Sequence, residues 1–200
     1  MKLYHDSLDA SLFRGYWQMD FYQERLMDEE YFEIVDEDGE VIALAPRSEC
    51  HGNPTLVHRT SHVVVMHPDG ERMLLQKRSS QKDIQPGKWD TAVGGHLMPG
   101  ESFLDAARRE MAEELGIPQE TPLRFLFDSK IRNEIESENT KVYLAVFAGP
   151  FNFPEEEIDE VKFWSFQEML SGTATDSFTP NLKQELKTIL NLDEFKSKLC

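Results

Sequence analysis

The spacing of apolar positions changes period several times along this chain, and each change predicts an element. Residues 11 to 28 place Leu12, Tyr16, Met19 and Leu26 near helical spacing, which predicts an N-terminal helix. From Tyr31 the period drops to two, and YFEIV, the turn DEDG and EVIALA read as a hairpin. LVHRTSHVVVM and RMLLQKR flank HPDG as a second strand-turn-strand unit. Residues 79 to 88, ending in Pro86-Gly87, read as a loop, and WDTAV as the strand that follows. LRFLFDSKIR and TKVYLAVFAG read as a further antiparallel pair. An acidic, proline-bearing loop over 150 to 160 leads to the strand VKFWSF, and short helices are expected near 167–171 and 180–192.

Between these strands, residues 95 to 117 read GHLMPGESFLDAARREMAEELGI and predict one amphipathic helix. Ser102 with Asp105 three residues on has the form of a helix N-terminus. Gly116 followed by Pro118 marks the stop. At roughly 100° per residue, Leu104, Ala107, Met111 and Leu115 fall within about 80° of one another and form an apolar stripe. Glu110 and Glu114 lie one turn apart on its flank, with Glu113 farther round. Acidic side chains at i and i+4 repel, a penalty that a bound cation removes. Oxygen-only ligands favour Mg²⁺, Mn²⁺ or Ca²⁺ over zinc. The alternative is a solvated acidic helix face.

Strands around a central helix, with a later helix on the other side, imply α/β architecture: an α/β/α sandwich on a mixed sheet. The expected organisation is a helical extension over 1–30, a domain over 31–192 and a tail over 193–200.

Charge narrows the functional classes. A formal charge of −16 with no basic stripe argues against long nucleic acid. It is compatible with an anionic small molecule bridged by a metal. Two cysteines, Cys50 and Cys200, do not suggest a disulfide framework, which points to a reducing compartment. MKLYHDSLDASLF lacks the apolar core of a signal peptide, and no apolar run approaches a membrane span. A soluble cytoplasmic protein without a membrane partner is the expectation. A homodimer is left open.

The stretch 95–117 resembles the Nudix box, G-x5-E-x7-R-E-U-x-E-E-x-G-U with U aliphatic. Gly95, Glu101, Arg109, Glu110, Met111, Glu113, Glu114, Gly116 and Ile117 fill its nine defined places. The resemblance implies a Nudix-type fold and a divalent-metal-dependent pyrophosphohydrolase acting on a small diphosphate, with Mg²⁺ or Mn²⁺ as cofactor. It implies metal ligation by Glu110, Glu113, Glu114 and the Gly95 carbonyl, and general-base duty for Glu110 or Glu113. Glu101 and Arg109 are implied to tie loop to helix. A later-loop carboxylate among Glu155, Glu156, Glu157 and Glu160 is a further candidate for the base.

Outside the box, EYFEIVDEDGEVI, LVHRTSHVVV and LLQKRSSQKDIQPGKWD are similar to the Nudix branch that includes isopentenyl-diphosphate isomerase. Ungapped placement gives that enzyme's metal histidines counterparts at His51, His58 and His96. Its cysteine falls on Gly94 and its two later glutamates on Thr140 and Val142. A shifted alignment would bring Glu134, Glu136 or Glu138 into that place. Isomerisation needs a proton donor and an acceptor on opposite faces of an alkene, and neither Gly94 nor Val142 transfers a proton. Hydrolysis of a nucleoside diphosphate derivative or related small diphosphate is therefore the favoured expectation. The isomerase and a catalytically idle Nudix-like sensor or scaffold are the alternatives. Arg78, Lys82 and Lys88 precede the box and are candidates to meet phosphate, or simply solvated loop cations. Trp89 and Trp164 are better read as core than as a ring platform.

Overall fold

The computed structural model describes residues 29–196. The helix expected over 11 to 28 lies outside them. Nine strands are described: β1 (Tyr31–Val35), β2 (Val41–Pro46), β3 (His58–Met66), β4 (Arg72–Arg78), β5 (Trp89–Thr91), β6 (Val93–His96), β7 (Arg124–Arg132), β8 (Ser137–Val146) and β9 (Ile158–Ser165). The described helices are α1 (Arg47–Cys50), α2 (Phe103–Leu115), α3 (Phe166–Gly172), α4 (Pro180–Ile189) and α5 (Asp193–Lys196).

β1 and β2 form a separate antiparallel hairpin, and the other seven strands form one mixed sheet. Its centre is β3, parallel to β8 with His58 opposite Glu138 and Met66 opposite Val146. The remaining pairings are antiparallel: β3 with β4 and β6, β4 with β5 and β9, and β7 with β8. Strand side chains alternate faces, so β3 divides its valines between two cores. Val64 joins Met73, Leu75, Val142 and buried residues of α3 and α4. Val63 and Val65 join Leu74, Tyr143 and Ala145 against Ala107, Met111 and Leu115 of α2. Helices on both sheet faces make the α/β/α sandwich. Trp89 and Trp164 pack edge to face at 5.1 Å against the first core.

WDTAV differs from its single-strand reading. β5 pairs with β4 through Trp89–Thr91, and β6 pairs with β3 through Val93–His96. The buried Ala92 separates them. β3 and β4 share the register pair Met66–Met73 near their turn, and the segment 89–96 continues both beyond it. The last strand also begins earlier than its apolar run, at Ile158, because it pairs along the length of β4. Phe195 of α5 is buried and stacks on Phe166, so packing continues past residue 192. No helix among the described residues is long and apolar enough to cross a membrane.

Candidate active site

α2 is built as its sequence predicts. The Ser102 hydroxyl accepts a hydrogen bond from the Asp105 backbone N–H at the N-terminus, and Gly116 takes the left-handed conformation at the C-terminus (φ 65°). Burying Ala107, Met111 and Leu115 against the sheet turns Glu110 and Glu114 into a cavity of about 490 Å³, with Glu113 at its rim. β6 forms the adjoining wall. A Cβ on Gly95 would lie 1.9 Å from the Glu110 carboxyl carbon, so only glycine admits this approach.

Arg109 organises the approach to the helix. Its guanidinium donates to both Glu101 oxygens at 3.0 and 2.8 Å, to the His96 carbonyl at 2.9 Å, and to Glu110 and Glu113 at 2.7 and 3.1 Å. Glu101 in turn accepts from the Met98 backbone N–H, and these bonds hold its carboxyl below the usual range. The loop is thereby tied to the helix. Burial pushes the Glu110 carboxyl up, against the pull of Arg109. Glu114 is pushed up to about 8, first by burial and then by Glu110. Gln76 donates to it at 3.1 Å and the Gly94 N–H at 3.4 Å.

A second cluster opens into the same cavity through His96 and Glu138. Nε2 of His58 and Nε2 of His96 each stand 3.6 Å from Glu138 Oε1. That is too long for a hydrogen bond, and both nitrogens are buried without a partner. His58 has its Nδ1 3.1 Å from the Leu56 carbonyl. A proton on Nδ1 donates to that carbonyl, so Nε2 is the ring nitrogen turned toward Glu138 and placed to ligate a metal. One atom from each of His58, His96 and Glu138 lies within 4.8 Å of the others. Burial would raise the Glu138 pKa, but the two histidines outweigh it and hold the carboxyl low. Its other oxygen meets Thr60 at 3.3 Å. Phe32 of the hairpin stacks on both rings, at 4.9 Å from His58 and 4.1 Å from His96. His51 contributes another buried, unpartnered Nε2, and its ring lies 6.0 Å from that of His96. The donor set fits a cation that accepts imidazole and carboxylate together.

The remaining wall is charged and paired. Arg78 donates to the Ile84 carbonyl at 3.0 Å and faces Asp90 at 3.5 Å. Lys82 bridges to Glu157 at 2.7 Å. His62 Nδ1 meets Glu185 at 2.6 Å, and the other Glu185 oxygen accepts from Thr91 at 2.9 Å.

The Nudix domain pattern matches residues 57–185. An uncharacterized Nudix hydrolase of Yersinia pestis is 38% identical over 159 residues, covering 76% of this chain and 81% of that protein. The chain belongs to the Nudix hydrolase family. Its likeness to the isomerase branch also holds: an isopentenyl-diphosphate Delta-isomerase of Clavibacter sepedonicus is 30% identical over 160 residues, covering 76% of this chain and 84% of that one. Among solved structures, DR0079 from Deinococcus radiodurans has a TM-score of 0.68 over 80% of this chain and 98% of that one. At 21% identity this is a likeness of fold.

The Nudix-box residues Gly95, Glu110, Glu113 and Glu114 thus share one cavity with Arg78, His96 and Glu138, while His51 and His58 are not among the residues that line it. Of the positions that the ungapped and the shifted placements offered for the two later glutamates, Glu138 is the one that meets the histidines. Val142 is fully buried in the core, and Glu138 is the carboxylate at the histidines. Glu136 lines the cavity beside it. The parallel register of β3 and β8 makes this choice, and no local spacing encodes it. Among the later-loop carboxylates, Glu157 lines the cavity, and its salt bridge to Lys82 already occupies it. His62, Asp90, Thr91 and Glu185 went unremarked in the sequence. Their partners are remote along the chain, and only the polar residues inside apolar runs hinted at them.

Proposed function

We propose that this protein is a Mg²⁺- or Mn²⁺-dependent hydrolase that cleaves the diphosphate linkage of a nucleoside diphosphate derivative or related small diphosphate. Water attacks phosphorus and displaces a phosphate ester. The observation that carries this reading is the approach of Glu110 to Gly95, which gathers two half-buried carboxylates, Glu110 and Glu114, on one cavity wall. Glu110, Glu113 and Glu114 would hold the cation, with the Gly95 carbonyl completing the set. The cation would supply polarisation of the phosphoryl group, activation of water and charge stabilisation on the leaving oxygen.

The chain's own groups do the rest. Arg109 fixes Glu110 and Glu113 in place, and one of these two takes the proton of the attacking water. Gln76 and the Gly94 N–H orient Glu114. A second depression of about 280 Å³ shares Arg78, Asp90, Glu136 and Asn181 with the main cavity and offers room for the rest of the substrate. A Mg²⁺-dependent screen over nucleoside and prenyl diphosphates and their derivatives, reading phosphate released directly or after phosphatase treatment of the ester products, tests the reading. Release that depends on metal and disappears in Glu114→Gln is expected. Release that persists in that variant would place the chemistry elsewhere.

The His58–His96–Glu138 cluster favours a second reading, a prenyl-diphosphate isomerase with a histidine-held cation. Glu138 stands at the cavity, so Val142 no longer argues against it. Gly94 does, because no proton-transfer group occupies that position. Solvent deuterium entering dimethylallyl diphosphate above a no-enzyme control would favour the isomerase.

A further inference from the structure

His62 is a buried ionisable group that neither the box nor the histidine cluster uses. It sits mid-way along β3, opposite Gly94 of β6 and Val142 of β8. The glycine matters here, since a Cβ on Gly94 would stand 3.3 Å from both Cδ2 and Nε2 of the ring, closer than ordinary packing. The space beside residue 94 is therefore shared with an imidazole. Glu185 of α4 takes Nδ1, and Thr91 holds the other Glu185 oxygen, so the ring has one orientation. Nε2 has no hydrogen-bond partner among the described residues, and His62 lines the cavity. On the other side of this short step of backbone, the Gly94 N–H points to Glu114 at 3.4 Å.

A buried ion pair is a poor way to gain stability, since apolar side chains of similar volume often do as well or better. A buried imidazole whose outer nitrogen opens onto a cavity has a better explanation as a donor to an anion. The groups facing it agree. Burial alone would lower its pKa, but Glu185, Glu138 and Asp90 raise it to about 9, so the ring carries charge at neutral pH.

We propose that His62 is a substrate-contacting residue, its Nε2–H donating to a phosphoryl oxygen of the diphosphate across Gly94 from the box glutamates, with Glu185 as its positioning residue. This rests on the hydrolase reading above. A charge-assisted hydrogen bond of this kind is short and directional, and it anchors the substrate at a point that the cation does not reach.

The test uses the full chain with Mg²⁺ and methylenediphosphonate, a diphosphate that is not hydrolysed. Binding is followed by calorimetry, and the His62 ring by ¹⁵N NMR. The expected result is a shift of the His62 Nε2 resonance on binding. His62→Leu should weaken binding roughly tenfold to a hundredfold. His62→Gln, whose amide nitrogen stands near the place of Nε2, should recover most of that loss, and rescue of this kind is foreign to a purely structural residue. Should His62→Leu fail to fold, the wild-type resonance decides alone. Binding by wild type that leaves the His62 resonance unmoved would overturn this inference and leave the hydrolase reading standing. Failure of the wild type to bind the probe at all would overturn both.

Discussion

The Glu110 carboxyl occupies the volume that a side chain on Gly95 would need, with 1.9 Å between its carboxyl carbon and the position of a Cβ. Gly95→Ala therefore forces Glu110 out of its place without altering a charged group. The variant should stay folded and lose Mg²⁺-dependent turnover by about tenfold or more, the scale on which misoriented ligands cost metal sites. Parallel measurement of turnover and thermal melting checks this, and unchanged turnover would separate Glu110 from the chemistry.

Glu114→Gln should abolish turnover and strengthen the metal-free protein. The folded pKa of Glu114, about 8, is above the ordinary 4.5. The folded state then binds the extra proton, and stability drains away as pH rises from about 4.5 through 8. In a chelator, wild type should lose melting temperature across that window relative to the variant. Parallel curves for the two proteins would contradict the assignment.

The His62–Glu185 pair predicts its own pH dependence. The imidazole pKa is raised from 6.5 to about 9. Its stabilisation is complete below about pH 6.5 and disappears as pH rises through 9. Glu185→Gln should remove this pH-dependent contribution, so the gap in melting temperature between wild type and variant should narrow toward high pH. A constant gap between them would refute the pairing.

Mg²⁺ or Mn²⁺ should raise the melting temperature, because the glutamates are clustered only in the folded chain. Linkage gives about 2.7 kcal/mol at a hundredfold excess over the dissociation constant, a shift of several degrees. Replacing Glu110, Glu113 and Glu114 together by Gln should abolish the Mg²⁺ response. A residual response to Mn²⁺ that then disappears in Glu138→Gln would report the histidine cluster.

What the chain discloses by itself follows the range of its contacts. The turn around Ser102, the stop at Gly116 and the spacing of Glu110 and Glu114 are local, and one helical period accounts for all of them. The division of β3 between two cores is nearly as plain, since apolar residues run without alternation through Val63, Val64 and Val65. Glu138 and Glu185 are of another kind. Each meets its histidine only because β8 lies parallel to β3 and α4 folds back across β5. Seventy-eight residues separate Thr60 from Glu138, and 123 separate His62 from Glu185. Periodicity contains no record of such distances, and an ungapped placement on Thr140 and Val142 carries no information about which β8 residue faces the histidines. WDTAV misled for a related reason. Its five residues read as one short strand, yet hydrogen-bond partners change at Ala92.

That change of partner at Ala92 also sets the breadth of the reaction chamber. Gln76 and Arg78 stand on β4, and Thr60 and His62 stand on β3. The strands separate beyond Met66 and Met73, and the segment through Ala92 spans the gap. The two banks facing the substrate are therefore tied by backbone hydrogen bonds rather than by mobile loops. Polar groups mounted this way are already aimed before a ligand arrives, and little reorganisation is left to be done at the moment of reaction. Ala92 itself is fully buried. A larger residue there would act as a wedge on the gauge of the site, changing which diphosphates fit without touching a single group that binds them.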